Sequence, residues 1–479
     1  MNKIKPQIKK LLKTTFWIVL SVSALFLAIA GIVQIPFVQN KIVNGATAFV
    51  SNKTHTSVTI NNVGISFPKT VVIVGLFLND RQKDTLLYAG KTRINISLIS
   101  LLFNKIAVNS FQLEDMSLNL YNSETDSAFN YNFLLDAFSG DTKTPEKPGK
   151  TSWTFDIGNV SLKNIRLHYN DRYGGTDAQL ALGKTEINLK NIDPGNSIYE
   201  IKNARIENLK ARIQLNKTAE WKEDKKEPTG LLPKILADNI RVVNSTVSYT
   251  DQATKQLVQA TIEYLDLKKG EVDLENEVAS IGKLTLRKSK LQYVSNENDT
   301  AVTPDTAESP TPQGWDVTIN HIAAEHNTVA YDSGNRKSGG NEFDPNHFKF
   351  SNVKLDIGKL HYSPNITELN VNNFNASGRQ NFSIIRFRTA FRMDNHSVSL
   401  RNLSARTLFS SIDANAEIQY SSLKALKESL PYTVLNIDIK DSRFRNSEIT
   451  YFNPALSKME FFKNKDNTTS FSGKVQGKL

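Results

Sequence analysis

Apolar and polar residues alternate with period 2 along most of this chain. Ile94, Ile96 and Leu98 alternate with Arg93, Asn95 and Ser97, and Ile437 and Ile439 alternate with Asp438 and Lys440. Thr, Val, Ile, Tyr and Phe are frequent in these stretches, as strands with one covered face prefer. Helical spacing is rare, and the two candidates are residues 39–52 and residues 421–428, close to Leu430-Pro431. The pattern predicts a mainly β chain, strand after strand.

A longer repeat is superimposed on the alternation. Its template is Phe155-x-Ile157-x-x-Val160-x-Leu162-x-Asn164-Ile165-x-Leu167-x-Tyr169. The Leu162 position recurs as Leu113, Ile206, Val242, Leu286, Ala324, Val371, Leu400 and Phe444. Subtracting successive numbers from Leu113 onward gives steps of 49, 44, 36, 44, 38, 47, 29 and 44 residues. The Asn164 position is again Asn at 208, 244, 373, 402 and 446, and is Asp115, Lys288 and His326 in the other copies.

Val160 and Leu162 share one parity, whereas Ile165, Leu167 and Tyr169 share the other. A regular strand puts these sets on opposite faces. Either a bulge with one extra residue, or a tight turn between two short strands, returns them to one face. Asn tolerates the left-handed conformation that both devices use. The unit is therefore expected to be a strand pair with one apolar face, which only stacked neighbours can cover. Leu113, Met116, Leu118, Val160, Leu162, Ile165, Leu167, Val242, Val247, Leu286, Leu291, Leu400, Leu403, Phe444 and Ile449 are expected to share that face.

Polar insertions at 139–152, 218–230, 295–314 and 332–346 separate the units. The strand pattern resumes on both sides of each, so they read as exposed hairpin loops at a sheet edge, with domain linkers as the alternative. The last residues, 471–479, alternate without a cap, and the chain is expected to be the N-terminal part of a longer protein.

The N-terminus departs from the β pattern. Lys3, Lys5, Lys9, Lys10 and Lys13 precede an uncharged stretch from Thr14 to Asn40, which is 40 − 14 + 1 = 27 residues. About 20 apolar residues suffice for a helix to span a bilayer. Phe16, Trp17, Leu20, Leu25, Leu27 and Ile32 would anchor it, with the basic end in the cytoplasm. The expected division is a basic tail over 1–13, a transmembrane anchor over 14–38, a short amphipathic segment over 39–57, and a repeating β region over 58–479. Ala28-Ile29-Ala30 offers the competing reading, a cleaved signal peptide.

Composition narrows the chemistry. The chain has 479 residues and no Cys, which excludes disulfides, Cys-ligated zinc, iron–sulfur clusters and thiol catalysis. Its net charge is +11, and the N-terminal lysines account for five, leaving 11 − 5 = +6, too mild to imply a nucleic-acid partner. Gly90-Lys91-Thr92 and Gly183-Lys184-Thr185 end like phosphate loops, but Thr85 and Ala178 stand where the first glycine belongs. His321 and His326 flank Glu325, yet their spacing separates them on a strand or a helix, so no metal site is expected. Tyr169, Tyr249, Tyr293, Tyr331 and Tyr451 recur at unit ends and read as strand-end packing. No catalytic constellation and no cofactor site emerges.

The basic start, the apolar span, Ile35-Pro36-Phe37-Val38-Gln39-Asn40, Val58-Thr59-Ile60-Asn61-Asn62-Val63, residues 72–80, residues 94–102 and the strand repeats together resemble the AsmA-like superfamily. The resemblance is to the N-terminal region of its TamB-type translocation and assembly proteins. It implies an elongated antiparallel β-groove in the periplasm of a Gram-negative bacterium, tethered by a single-pass helix in the inner membrane. It further implies phospholipid carriage between the membranes, support of outer-membrane protein assembly, and a barrel partner of the TamA class. Apolar residues of the repeat would then line a lipid path. A scaffold that binds client strands, without lipid transport, is the alternative.

Overall fold

The computed structural model describes residues 35–66, 70–96, 105–138, 154–193, 196–216, 232–295, 314–334, 342–379, 382–422 and 433–478. The predicted anchor lies almost wholly outside them, as do residues 423–428 of the second helix candidate. Among the described residues no helix is long and apolar enough to cross a membrane. The chain divides into two compact units, Met1–Tyr169 and Asn170–Leu479.

The first unit opens with helix α1 (Pro36–Thr54), longer at both ends than the spacing predicts. Pro36 suits a first helical turn, and His55 ends the helix in the left-handed conformation. Strands β1 (Val58–Ser66), β2 (Thr70–Asn79), β3 (Thr85–Ile96) and β4 (Lys105–Tyr121) then form an antiparallel meander. Helix α2 (Asn132–Phe138) follows, and Phe133 closes a core with Leu78 and Leu86. Strand β5 (Thr154–Asp171) lies beside β4. The Asn164 side chain donates to Asp115 Oδ1 at 2.9 Å, and the Gly158 backbone lies against the Asn109 carbonyl. Both pairs differ by 49 (164 − 115 and 158 − 109), so these strands run parallel, at the offset of the first sequence repeat.

The second unit is a sheet whose strands are neighbours in chain order. They are β6 (Thr176–Asp193), β7 (Ile198–Glu207), β8 (Lys210–Leu215), β9 (Lys234–Asp251), β10 (Gln256–Asp273), β11 (Val278–Arg287) and β12 (Lys290–Ser295). Next come β13 (Asp316–Ile319), β14 (Ile322–Ser333), β15 (His347–Ser363), β16 (Ile366–Ser377), β17 (Ser383–Asp394), β18 (Ser397–Thr407), β19 (Ser411–Gln419) and β20 (Val434–Arg445). Helix α3 (Asn446–Phe452), a 3-10 turn (Pro454–Lys458) and helix α4 (Glu460–Lys463) precede the last strand, β21 (Thr468–Lys478).

The sheet is mixed, which corrects the all-antiparallel expectation. β7 and β8 run parallel to β9, and β11 and β12 run parallel to β13 and β14. The polar insertions 218–230 and 295–314 join these parallel strands. They are return connections between opposite strand ends, because a hairpin joins only antiparallel neighbours. The insertion 332–346 is a hairpin connection, with Asp332 opposite His347.

The repeated Asn position is a corner. Asp115, Asn164, Asn208, Asn244, Lys288, His326 and Asn402 all have φ between 49° and 57°. At Asn208 and Lys288 the chain bends sharply, ending β7 and β11. The pairing does not slip there: Lys184 faces Glu207 before the corner and Ala181 faces Lys210 after it, each pair summing to 391. No residue has been inserted, so the tight-turn alternative holds at Asn208. A one-residue bulge occurs at Asn402, where Leu400 faces Ala416 but Leu403 faces Ala414. The Asn373 and Asn446 copies are not left-handed, and Asn446 instead starts α3, which puts Ile449 in a helix.

The corners explain the two phosphate-loop look-alikes. Gly90 faces Asp115 and Gly183 faces Asn208, where an added Cβ would lie 2.9 Å and 2.8 Å from the partner's own Cβ. Glycine is there because the left-handed residue occupies the space of its side chain. Gly183→Val is expected to lower stability by about 1–3 kcal/mol through overpacking. A lower urea midpoint at an unchanged slope is the readout, and an unaltered midpoint contradicts the steric account.

Candidate functional site

Register in the second unit places apolar residues directly opposite one another over many strands. One row runs Ile206, Val242, Leu265, Leu286, Ala324, Leu355, Phe374, Phe387 and Ala405. A second runs Ala204, Ile240, Leu267, Leu284, Ile322, Ile357 and Val371. Beyond the corner a third runs Ala211, Val247, Ala260, Leu291, Val329 and Phe350. Directly opposed residues share a face, and their Cβ atoms are close enough to touch. The result is an apolar surface on both sides of a crease.

The two repeat steps that join adjacent parallel strands, 36 and 38, are the register itself: Ile206 faces Val242 and Leu286 faces Ala324. The step of 44 from Val242 to Leu286 passes over Leu265 on the intervening β10. Val242 and Leu286 thus share one row, and Val247 and Leu291 another. Val371 falls one row from Ala324, opposite Ile357. Leu400 belongs to a further row, between Phe391 and Ala416, and Leu403 faces Ala414. Phe444 leaves the rows and stacks on Phe471 with ring centroids 5.3 Å apart.

In the first unit Asn164 points its amide at Asp115, and Lys163 and Arg166 are exposed while Ile165 is buried. Val160, Leu162 and Leu167 are half-buried. Leu113, Met116 and Leu118 face Thr92, Ala89 and Leu87 on β3. Leu118 packs on the closed cluster of Leu78, Leu86 and Phe133, so it does not belong to an open surface.

The rows are partly covered. Leu291 is 37% exposed, Leu265, Leu267, Leu284 and Leu286 are half-buried, and Ala204, Ala324 and Ile357 are buried. Among the described residues, 18-residue β10 buries only Asp266. The opposite face is polar and self-paired. Arg241 binds Asp266 at 3.2 Å, and the Arg241 and Arg287 guanidinium groups lie 5.6 Å and 5.4 Å from the Tyr264 ring centre. Farther along, the hydrogen bond from Arg406, at 2.6 Å, holds the Asp413 carboxyl below its usual range.

A polar seam along the crease was not foreseen. Ser245, Ser289 and Asn327 follow left-handed residues and are each 1% exposed. Each serves a backbone group that the corner removes from the ladder. Ser245 Oγ accepts from Leu209 N at 3.1 Å, and Ser289 Oγ accepts from Glu263 N at 3.3 Å. Asn327 accepts from Ser289 N at 2.8 Å and donates to Leu286 O at 3.0 Å. An unpaired buried amide costs about 1–3 kcal/mol, which accounts for polar residues in an apolar crease. The signal in the sequence was a small polar residue directly after the repeated left-handed position.

Aromatic residues form a further row beside the third, where Tyr249, Val258, Tyr293, Tyr331 and Phe348 face one another. Tyr293 stacks on Tyr331, and Tyr331 on Phe348, at 5.7 Å and 5.3 Å. Phe382 stacks on Tyr451 of α3 at 5.1 Å, and burial there pushes the Tyr451 hydroxyl above its usual range. His321 and His326 do not converge: His321 pairs with Asp356 at 3.5 Å, while His326 occupies a corner. Among the described residues no group of three or more His, Asp or Glu side chains is arranged to hold a metal ion. Comparison with family models, with curated proteins and with solved structures returns no match.

Proposed function

We propose that this chain is an inner-membrane-anchored periplasmic groove protein that carries phospholipid between the inner and outer membranes and supports outer-membrane protein assembly. The observation that carries the reading is the set of apolar rows that flank the crease, half-buried at most positions and 37% exposed at Leu291. Acyl chains gain about 0.8 kcal/mol for each CH₂ removed from water. A lining with the same character from strand to strand lets a bound chain slide without a deep local minimum. The polar face keeps its buried charge paired, Asp266 with Arg241, and no catalytic step is needed. The apolar span over 14–38 supplies the tether in this reading, and the resemblance to TamB-type proteins supplies the barrel partner of the TamA class.

The reading is tested with a photo-crosslinking amino acid at Leu284, on the second row, and at its neighbour Lys283, which is exposed on the other face. Phospholipid is expected to be captured from position 284 and not from 283. Capture of polypeptide at 284, with no lipid, replaces carriage by a scaffold that holds client strands.

A further inference from the structure

Residues 446–467 form an insert at the β20–β21 hairpin, where Arg445 faces Thr468. The insert folds around Asn446, which is fully buried and donates from its side chain to the carbonyls of Phe461 and Asn464. Its Tyr451, half-buried, and Phe452, still 49% exposed, pack on Phe382 and Phe343. The Phe343 ring centre in turn lies 6.3 Å from that of Phe348, in the aromatic row that flanks the apolar rows.

Other apolar side chains of the insert are exposed as well. Met459 and Phe461 are 54% and 55% exposed, and Phe409, in the neighbouring β18–β19 turn, is 49% exposed. The Arg445 guanidinium lies 4.1 Å from the Phe409 ring centre and ties that turn to the insert. Large apolar side chains exposed close together mark a contact site. With Arg445 at its base the insert carries four basic side chains against three carboxylates, a net charge of +1. Each acid of the insert is engaged: Glu448 by Thr407, Glu460 by Lys463 and Asp466 by Arg445. Lys458 and Lys465 have no carboxylate partner among the described residues. Exposed aromatic and Met side chains beside unpaired lysines match the boundary between acyl chains and anionic headgroups.

We infer that this insert docks on an anionic lipid surface, bringing the aromatic flank of the apolar rows to a membrane. Its role as an entry or exit point rests on the lipid-carrying reading above, whereas the docking chemistry does not.

The chain has no Cys, so single cysteines at Phe461, at Phe409 and, as a control, at Asn395 in the β17–β18 turn can carry an environment-sensitive fluorophore. The full chain is reconstituted in vesicles with or without phosphatidylglycerol. Emission from 461 and 409 is expected to shift to the blue and to be quenched by spin-labelled lipid when phosphatidylglycerol is present. Emission from 395 is expected to stay unchanged. Lys458→Gln and Lys465→Gln should each weaken this contact about fivefold. A blue shift without vesicles that grows with protein concentration means burial against a second copy and overturns the inference. Unchanged emission at 461 and 409 overturns it too. Lipid capture at position 284 reads carriage separately: capture there with silent fluorophores discards the docking insert alone, and the reverse discards carriage alone.

Discussion

Leu284→Asp is expected to abolish phospholipid carriage while leaving the protein folded. Leu284 lies between Leu267 and Ile322 on the second row. A carboxylate placed in a closed core costs several kcal/mol or is forced to take up a proton. On this half-exposed surface water solvates it, and the empty protein keeps its fold. The cost falls on the passing acyl chain, which must strip that water or detour around it. A local barrier of about 3 kcal/mol slows passage roughly a hundredfold, since each 1.4 kcal/mol is a factor of ten. Leu284→Met keeps volume and polarity and is expected to be silent, and Lys283→Asp on the hydrated face likewise. Lipid co-purifying with each variant, together with resistance to limited proteolysis, provides the measurement. An unfolded Leu284→Asp protein means that the rows are a sealed core, and normal lipid content means that they are not the path.

The corners show how much of this fold the residues announce. Seven positions picked out by parity and by a recurring Asn are left-handed, including Lys288 and His326, whose side chains give no hint of it. The parity switch was the informative part, because sharing a face across an odd spacing is a geometric demand. Asn352 and Lys269 are also left-handed and were missed. Phe348 and Phe350 change parity to Val353 and Leu355 across Asn352, so the same reading reaches it. Leu265 and Leu267 likewise change parity to Val272 and Leu274 across Lys269, and the facing Gly282 supports the same reading, since an added Cβ there would meet the Lys269 Cβ at 3.0 Å.

Strand direction was not legible. Alternation is the same whether the chain runs up or down, so polar insertions between parallel strands look like hairpin loops. The insert over 446–467 was hidden for a similar reason. Ile449-x-Tyr451 continues the alternation on paper, whereas Asn446 takes two carbonyls from neighbouring turns and winds the segment into α3. The polar seam runs against the usual inference from sequence, for Ser245, Ser289 and Asn327 would be assigned to the wet face. They are buried because a corner costs the ladder hydrogen bonds, and short polar side chains replace them.

Asp80→Ala is expected to destabilise the first unit by about 3 kcal/mol or more, the range reached when one buried charged acceptor of several hydrogen bonds is removed. Asp80 is 2% exposed and follows the last residue of β2, two positions after the core residue Leu78. Its Oδ1 accepts from the backbone of Gln82 and Asp84, each at 2.9 Å, which shapes the β2–β3 turn. Its Oδ2 accepts from the Tyr121 hydroxyl at 2.7 Å and from the Asn130 amide at 3.1 Å, tying the end of β4 and the approach to α2 to that turn. Alanine leaves all four donors without this acceptor above the Leu78–Leu86–Phe133 cluster. Tyr121→Phe removes one of the four and should cost about 1–1.5 kcal/mol. Burial, with Asp80 and Asp84 nearby, pushes the Tyr121 hydroxyl well above its usual range. A group whose pKa is raised by folding stabilises fully below its unfolded value and loses that contribution as pH rises. The advantage of the native chain over Tyr121→Phe should therefore be constant below about pH 10, the ordinary value for tyrosine, and shrink above it. Hydrogen exchange of the β2 and β3 amides reports the first unit alone. Protection in Asp80→Ala equal to that of the native chain would show that the turn is held by the sheet and not by this carboxylate.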